Sequence, residues 1–124
     1  MIKKIATDKA PSAIGPYSQA VAVGNMLYTS GQIAINPASG NVEAQDIVGQ
    51  TEQVMKNLGA VLEAAGTSFE NAVKTTCFLA DIKHYAAFNE IYGKYFTSKP
   101  ARSCVAVRDL PKGVLVEVEV IAVI

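Results

Sequence analysis

A chain of 124 residues, half of them hydrophobic and 18% charged, has the length of one domain and too much apolar matter to stay disordered. Eleven Lys and Arg balance eleven Asp and Glu, so no basic field gathers phosphates and nucleic acid is not an expected partner. So apolar a composition in so short a chain also points to surface buried against another subunit.

The N-terminal stretch MIKKIATDKAP lacks the long apolar core of a secretory signal, and residues 1–6 suit a first strand. TDKAPSAIGPYSQ holds the breakers Pro11, Gly15 and Pro16 and predicts a shaped loop that carries Tyr17. AVAVGNMLYTSG reads as two strands joined by a Gly24–Asn25 turn. NPASGN is rich in turn residues and reads as loop. From 46 to 65, Ile47, Val54, Met55, Leu58, Val61, Leu62 and Ala65 recur at helical spacing, with Thr51 partly on the stripe. Gly66 stands where a C-terminal cap belongs.

TSFE, Thr67 to Glu70, has the pattern of a capping box for a single turn. AVKTTCFLA follows as a strand. Asp81 is placed to cap a second helix whose apolar stripe is Tyr85, Phe88, Ile91, Tyr92, Tyr95 and Phe96. His84 falls at the start of that helix. After Pro100 come a strand over Ser103–Val107, a DLPKG turn, and VLVEVEVIAVI as a long last strand.

This order predicts an α+β fold: one mixed β-sheet, with both helices packed on one face and at least one parallel pairing through a crossover. In the last strand Val114, Val116, Val118, Val120, Ala122 and Ile124 point one way, and Leu115, Glu117, Glu119, Ile121 and Val123 the other. The first set belongs under the helices. The second is apolar except for its two glutamates, too apolar for a freely solvated face, and a neighbouring subunit is expected to cover it. No window approaches the roughly 18 apolar residues of a membrane span. Cys77 and Cys104 lack CxxC spacing and read as reduced residues of a soluble, cytoplasmic protein, a disulfide staying open as the other reading.

The common catalytic constellations are missing. There is no GxSxG and no HExxH, and GQIAINPASG lacks the Gly-Lys-Ser/Thr end of a phosphate loop. His84 is the only histidine, which argues against a triad and against a metal site. What remains is a set of polar residues in apolar settings. Arg102, at the mouth of PARSCVAV, reads either as an interface ion pair or as a clamp whose two parallel N–H groups fit a carboxylate. Glu117 either pairs with a lysine or holds a water, with Glu119 on the same side as its control. Cys104 shares a strand face with Arg102 and reads first as a small buried hydrophobe. Tyr17 staples its loop or walls a pocket. Asn89 lies off the apolar stripe and reads as solvated, and the remaining tyrosines read as packing between helix and sheet.

IGPYSQA, LYTSGQI, FNEIYGKYF, PARSCVAV and LPKGVLVEVEVIA together resemble the Rid family, the YjgF-type reactive intermediate deaminases. The blocks run from residue 14 to 122 in order, and PARSCV with a glutamate after LPK is similar to the deaminase branch. The resemblance implies one Rid-type domain over residues 1–124, with a fold like that of the Bacillus chorismate mutase. It implies a homotrimer with sites at subunit interfaces, no cofactor and no metal. It also implies hydrolysis of small 2-imino acids, or their enamine tautomers, to 2-keto acids and ammonia.

Carried over one position at a time, the resemblance makes Arg102 the carboxylate binder and Glu117 the residue that positions water. Cys104 becomes a residue whose backbone, not its thiol, meets the imine nitrogen. Tyr17 lines the cleft, Ser30 and Gly31 form the strand end beside the substrate, and Asn89 is a further cleft residue. Ala106 departs from the acidic residue common in CVEV and leaves the proposed catalytic groups in place. Three rival readings stand beside this one: a carboxylate-binding or regulatory trimer without turnover, an RNA-directed ribonuclease or translation inhibitor, and a chaperone-like protein. Zero net charge and a single histidine speak against the RNA reading.

Overall fold

Strands form where apolar residues alternate, and helices where they return every third or fourth position. The computed structural model describes residues 1–124. Six strands make one sheet: β1 (Ile2–Ile5), β2 (Ala20–Val23), β3 (Met26–Thr29), β6 (Ala72–Leu79), β7 (Ala101–Ala106) and β8 (Val116–Val123). Between them, β4 (Ile35–Asn36) and β5 (Asn41–Val42) form a separate two-stranded ribbon. The helices are α1 (Ile47–Ala64) and α2 (Tyr85–Tyr95). The sheet order is β1-β2-β3-β8-β6-β7, antiparallel throughout except for the parallel pair β6–β7. A parallel pair needs a crossover, and α2 lies in the connection that makes it.

The core shows which face the helices take. Val54, Met55, Leu58, Val61 and Leu62 of α1 join Phe88, Ile91 and Tyr92 of α2 in one cluster, together with Cys77 and Leu79 of β6 and Val116, Val118, Val120 and Ala122 of β8. Both helices therefore cover the same sheet face, as the alternation in the last strand requires. Glu117, Glu119, Ile121 and Val123 face the other side and are only partly buried, while Tyr28 on β3 and Val105 on β7 are exposed. Ile124 departs from the alternation: it is exposed, and its N–H donates to the Asn25 carbonyl at 2.8 Å.

The ends of α1 follow from single residues. Asp46 Oδ1 accepts from the Gly49 N–H at 3.0 Å. At the other end Gly66 takes φ +82°, its N–H donates to Glu63 at 2.9 Å, and the Thr67 N–H donates to Leu62 at 2.9 Å. This is the paired closure that a left-handed glycine allows.

Three local readings are corrected. The capping box at 67–70 does not form. Thr67 Oγ1 donates to the Val123 carbonyl at 2.6 Å and Glu70 accepts from Thr97 Oγ1 at 2.6 Å, so both side chains serve tertiary contacts. The short turn Phe69–Asn71 forms without a side-chain cap. Asp81 caps a 3₁₀ turn, Ile82–His84, through the Lys83 N–H at 2.9 Å, and α2 begins only at Tyr85. NPASGN is the tip of the β4–β5 ribbon, whose two-residue strands are too short to show a period.

Candidate active site

An irregularity between β3 and β8 builds the first half of the site. Tyr28 pairs with Ile121, and Gln32 next bridges to Val118, so four steps on one strand face three on the other. One residue too many makes a bulge, which pushes Ser30 and Gly31 out of the ladder. The Gln32 N–H donates to the Val118 carbonyl at 2.9 Å and re-anchors the chain. Gly31 thereby lies against Glu117: a Cβ there would fall 2.1 Å from Glu117 Oε2 and 2.8 Å from its Cδ. Glycine is required by this approach, because any side chain would evict the carboxylate.

Buried amides hold the surrounding loops. Gln19, 4% exposed, accepts from the Thr7 N–H at 2.7 Å and donates to the carbonyls of Thr7, Ala10 and Pro11. That ties down the loop carrying Tyr17, which is itself exposed. Ser30 Oγ donates to the Ser18 carbonyl at 2.6 Å and fastens the bulge to the same loop. Asn57 Nδ2 donates to the carbonyls of Ile33 and Ile35, fixing the opposite wall to α1. The result is a cleft of about 640 Å³ whose lining includes Tyr17, Ser30, Gly31, Ile33, Lys112 and Glu117. Glu119 faces it too. Burial, and then the charge of Glu119, raise the Glu117 carboxyl above the usual carboxylate range.

The second half lies at the edge of the sheet. Arg102, on β7, is paired with Thr75 of β6. Its guanidinium lies 4.8 Å from the centre of the Tyr92 ring. The Tyr92 hydroxyl is in turn bonded to Thr75 Oγ1 at 2.7 Å. Arg102 Nη1 donates to Asn89 Oδ1 at 2.7 Å, and Nη2 donates to the Tyr85 hydroxyl at 2.9 Å. No carboxylate neutralises it: the one ion pair in the chain joins Arg108 to Asp109. A guanidinium has five N–H groups, so three remain for a ligand.

Cys104 shares the Arg102 face and lies beside Cys77 in the parallel register. Burial raises its thiol above the usual range, against the lowering effect of Arg102, and burial pushes Cys77 up to about 12. Both are free and both are protonated at neutral pH, which makes them poor nucleophiles. The backbone is the more available group. The Val107 N–H donates to the Leu79 carbonyl, so every second residue of β7 aims its N–H and C=O at β6. Cys104 is out of phase with that set, and β7 ends the sheet, so its carbonyl faces outward unpaired.

The structure thus gathers Tyr17, Ser30, Gly31 and Glu117 in one place and Arg102, Asn89 and Cys104 in another. The two groups lie on opposite faces of the sheet. Phe78 pairs with Glu117 and Cys77 with Cys104, and neighbours along β6 point to opposite sides. A small ligand in one chain cannot touch both groups. No three His, Cys, Asp or Glu side chains converge.

Sequence reasoning passed over Gln19, Tyr85 and Tyr92. The two tyrosines sit on the apolar stripe of α2, and a stripe position does not tell packing from support of a charge. Gln19, next to a breaker-rich loop, gave a usable sign, since a buried amide beside irregular backbone finds unpaired carbonyls there. Asn89, read as solvated from its place off the stripe, is instead an acceptor for Arg102.

A model of the family described as Endoribonuclease L-PSP matches residues 7–124. A Mus musculus protein named 2-iminobutanoate/2-iminopropanoate deaminase is 51% identical over 122 residues, 98% of this chain and 90% of its own length. Among solved structures, YyfA from Yersinia pestis, a protein of the conserved Rid family, is 52% identical with a TM-score of 0.97, and 100% of each chain is covered. E. coli TdcF, solved with bound serine, is 43% identical with a TM-score of 0.93, and 98% of each chain is covered.

Proposed function

The chain belongs to the Rid family, the group described as Endoribonuclease L-PSP, and we propose that it hydrolyses small 2-imino acids, or their enamine tautomers, to 2-keto acids and ammonia. The observation that carries this reading is Arg102: a guanidinium with three uncommitted N–H groups, no acidic partner, and an unpaired backbone carbonyl two residues along the same strand. That pairing suits a ligand that carries both a carboxylate and an N–H, as a 2-imino acid does. The name of the mouse relative supports the substrate class, and TdcF holds a ligand with the same two groups.

The mechanism asks little of the protein. Arg102 binds the substrate carboxylate through two parallel N–H bonds. The Cys104 carbonyl accepts the imine N–H and turns C2 toward the water. Glu117, in its ionised form, takes a proton from that water as oxygen adds to C2. The protonated Glu117 returns that proton to the carbinolamine nitrogen, the C–N bond breaks as the hydroxyl oxygen forms the keto C=O and gives its proton back to the Glu117 carboxylate, and ammonia leaves with the keto acid as product. An iminium carbon is already electrophilic, so orientation and one proton acceptor suffice and a strong nucleophile is unnecessary.

Arg102 and Glu117 meet on one substrate only if they come from different chains. We therefore assign each site to a subunit interface of a homotrimer. Residues 1–124 act there as one unit, and the apolar sheet face carrying Tyr28, Val105 and Ile121 turns inward. Two free thiols suit a reducing cytoplasm. An RNA substrate fits poorly, because the cleft presents Glu117 and Glu119 with Lys112 as its one cation and would repel phosphate.

A threonine dehydratase can generate 2-iminobutanoate in situ, with semicarbazide trapping the free imine. The protein should speed formation of 2-ketobutanoate above the spontaneous rate, and Arg102→Ala should abolish the gain while remaining folded. Saturable binding of 2-ketobutanoate without acceleration would replace the enzyme with a carboxylate-binding protein. Full activity in Arg102→Ala would remove the clamp.

A further inference from the structure

We propose that Tyr85 is a positioning residue for the carboxylate clamp, fixing the plane of the Arg102 guanidinium through its hydroxyl. The inference rests on Arg102 being the carboxylate-binding group. A planar fork binds a carboxylate through two bonds only when its plane is set. Asn89 alone cannot set it, since the guanidinium is free to turn about the single Nη1···Oδ1 contact of 2.7 Å. The Tyr85 hydroxyl adds a second acceptor, 2.9 Å from Nη2, and the Tyr92 ring fixes the tilt from a third side. Two acceptors on two different nitrogens and two aromatic rings, Tyr92 at 4.8 Å and Tyr85 itself at 5.5 Å, over-determine the orientation, and only the hydroxyl acceptor is lost in Tyr85→Phe.

The other two tyrosines of α2 have different work. The Tyr92 hydroxyl is buried and bonded to Thr75, and Tyr95 donates to Glu52 Oε2 at 2.7 Å, joining α2 to α1. Tyr85 is 40% exposed at the first position of the helix and makes its one side-chain hydrogen bond to Arg102. A stripe residue needed for packing alone would be buried and would have no use for the hydroxyl. Within its own chain this one keeps its ring at the surface and spends its oxygen on the guanidinium. Holding the fork in place before the ligand arrives lowers the entropy lost on binding. Because the carboxylate is held alike in ground and transition states, the effect belongs in KM and not in kcat.

Tyr85→Phe keeps the ring and removes only the acceptor. Calorimetric titration with 2-ketobutanoate should show a dissociation constant raised about fivefold, with KM for the imine rising in parallel, kcat within about twofold of wild type and the thermal midpoint unchanged. In an Arg102→Lys background the same substitution should change nothing further, because an ammonium has no plane to set. Unaltered binding by Tyr85→Phe overturns the inference, as does an equal loss in the Arg102→Lys background. If the wild type neither binds 2-ketobutanoate nor speeds imine hydrolysis, the carboxylate site and this inference fall together. If binding depends on Arg102 but not on Tyr85, only this inference falls.

Discussion

Glu117 and Glu119 share one side of β8, two residues apart, yet only Glu117 is held against Gly31. Burial raises its carboxyl first and the charge of Glu119 adds to that. The sign of the consequence is fixed. A carboxyl whose folded value lies above its unfolded one favours folding when protonated. Its ionisation therefore costs stability near neutral pH, and that cost disappears as pH falls through the raised value. Under the proposed mechanism activity runs the opposite way, because only the carboxylate can take a proton from water. Turnover should fall on acidification, and at a higher pH than an ordinary glutamate would give. Glu119→Gln removes the like charge, so the acid limb of the kcat profile should move to lower pH while the neutral plateau stays. A limb that stays in place, or moves up, would take Glu117 out of the proton-transfer step. Cys104, on the opposite face of the sheet, bears on the same proposed chemistry. Its raised thiol stays protonated through neutral pH and leaves the backbone carbonyl as the group on offer.

The bulge between β3 and β8 is the element that makes the first half of the site, and Gly31 is its weak point. Gly31→Ala would set a methyl carbon 3.0 Å or less from three atoms of the Glu117 side chain. The end of a glutamate can swing away, so the fold should survive with its thermal midpoint within a few degrees, while turnover drops by about tenfold or more through loss of water positioning. A variant with wild-type kcat would show that Glu117 need not hold its present place. Elements of this kind also explain what could be read from the chain beforehand. α1 was legible in full, because a stripe from Ile47 to Leu62, an aspartate before it and a glycine after it all agree. The last strand declared its two faces through strict alternation. The β3–β8 bulge and the β4–β5 ribbon did not show, since one extra residue or a two-residue strand leaves no period. TSFE misled for another reason: a capping pattern is local, and tertiary partners at Val123 and Thr97 outcompeted it. At the site, the residue types were legible but their grouping was not. That Arg102 and Glu117 fall on opposite faces depends on the register of β6 with both its neighbours, which a single sequence does not state.

At the scale of the whole molecule, that register makes activity depend on assembly under the proposed mechanism. Each chain offers an arginine shelf at one edge and a glutamate cleft on the far face, and the proposed hydrolysis needs both. The sheet face between them carries Tyr28, Val73 and Val105, all more than two-fifths exposed in the isolated chain. Exposed apolar area on one face of a sheet, next to the unpaired edge of β7, is a surface that water disfavours. Val105 is the place to test it, since it is 46% exposed, lies on β7, and points to the face opposite Arg102. Val105→Asp places a charge where a second subunit would have to bury it unpaired, a large penalty against association. In the separate chain the same aspartate stays in water, so folding should be spared. Sedimentation should then find a species near 13.1 kDa in place of a trimer, with deamination lost although Arg102, Tyr85 and Glu117 are unchanged. A folded monomer that still turns over 2-iminobutanoate would mean that one chain carries the whole site. Glu117 would then have no part in it, and the water would have to be aimed from the Arg102 side of the sheet.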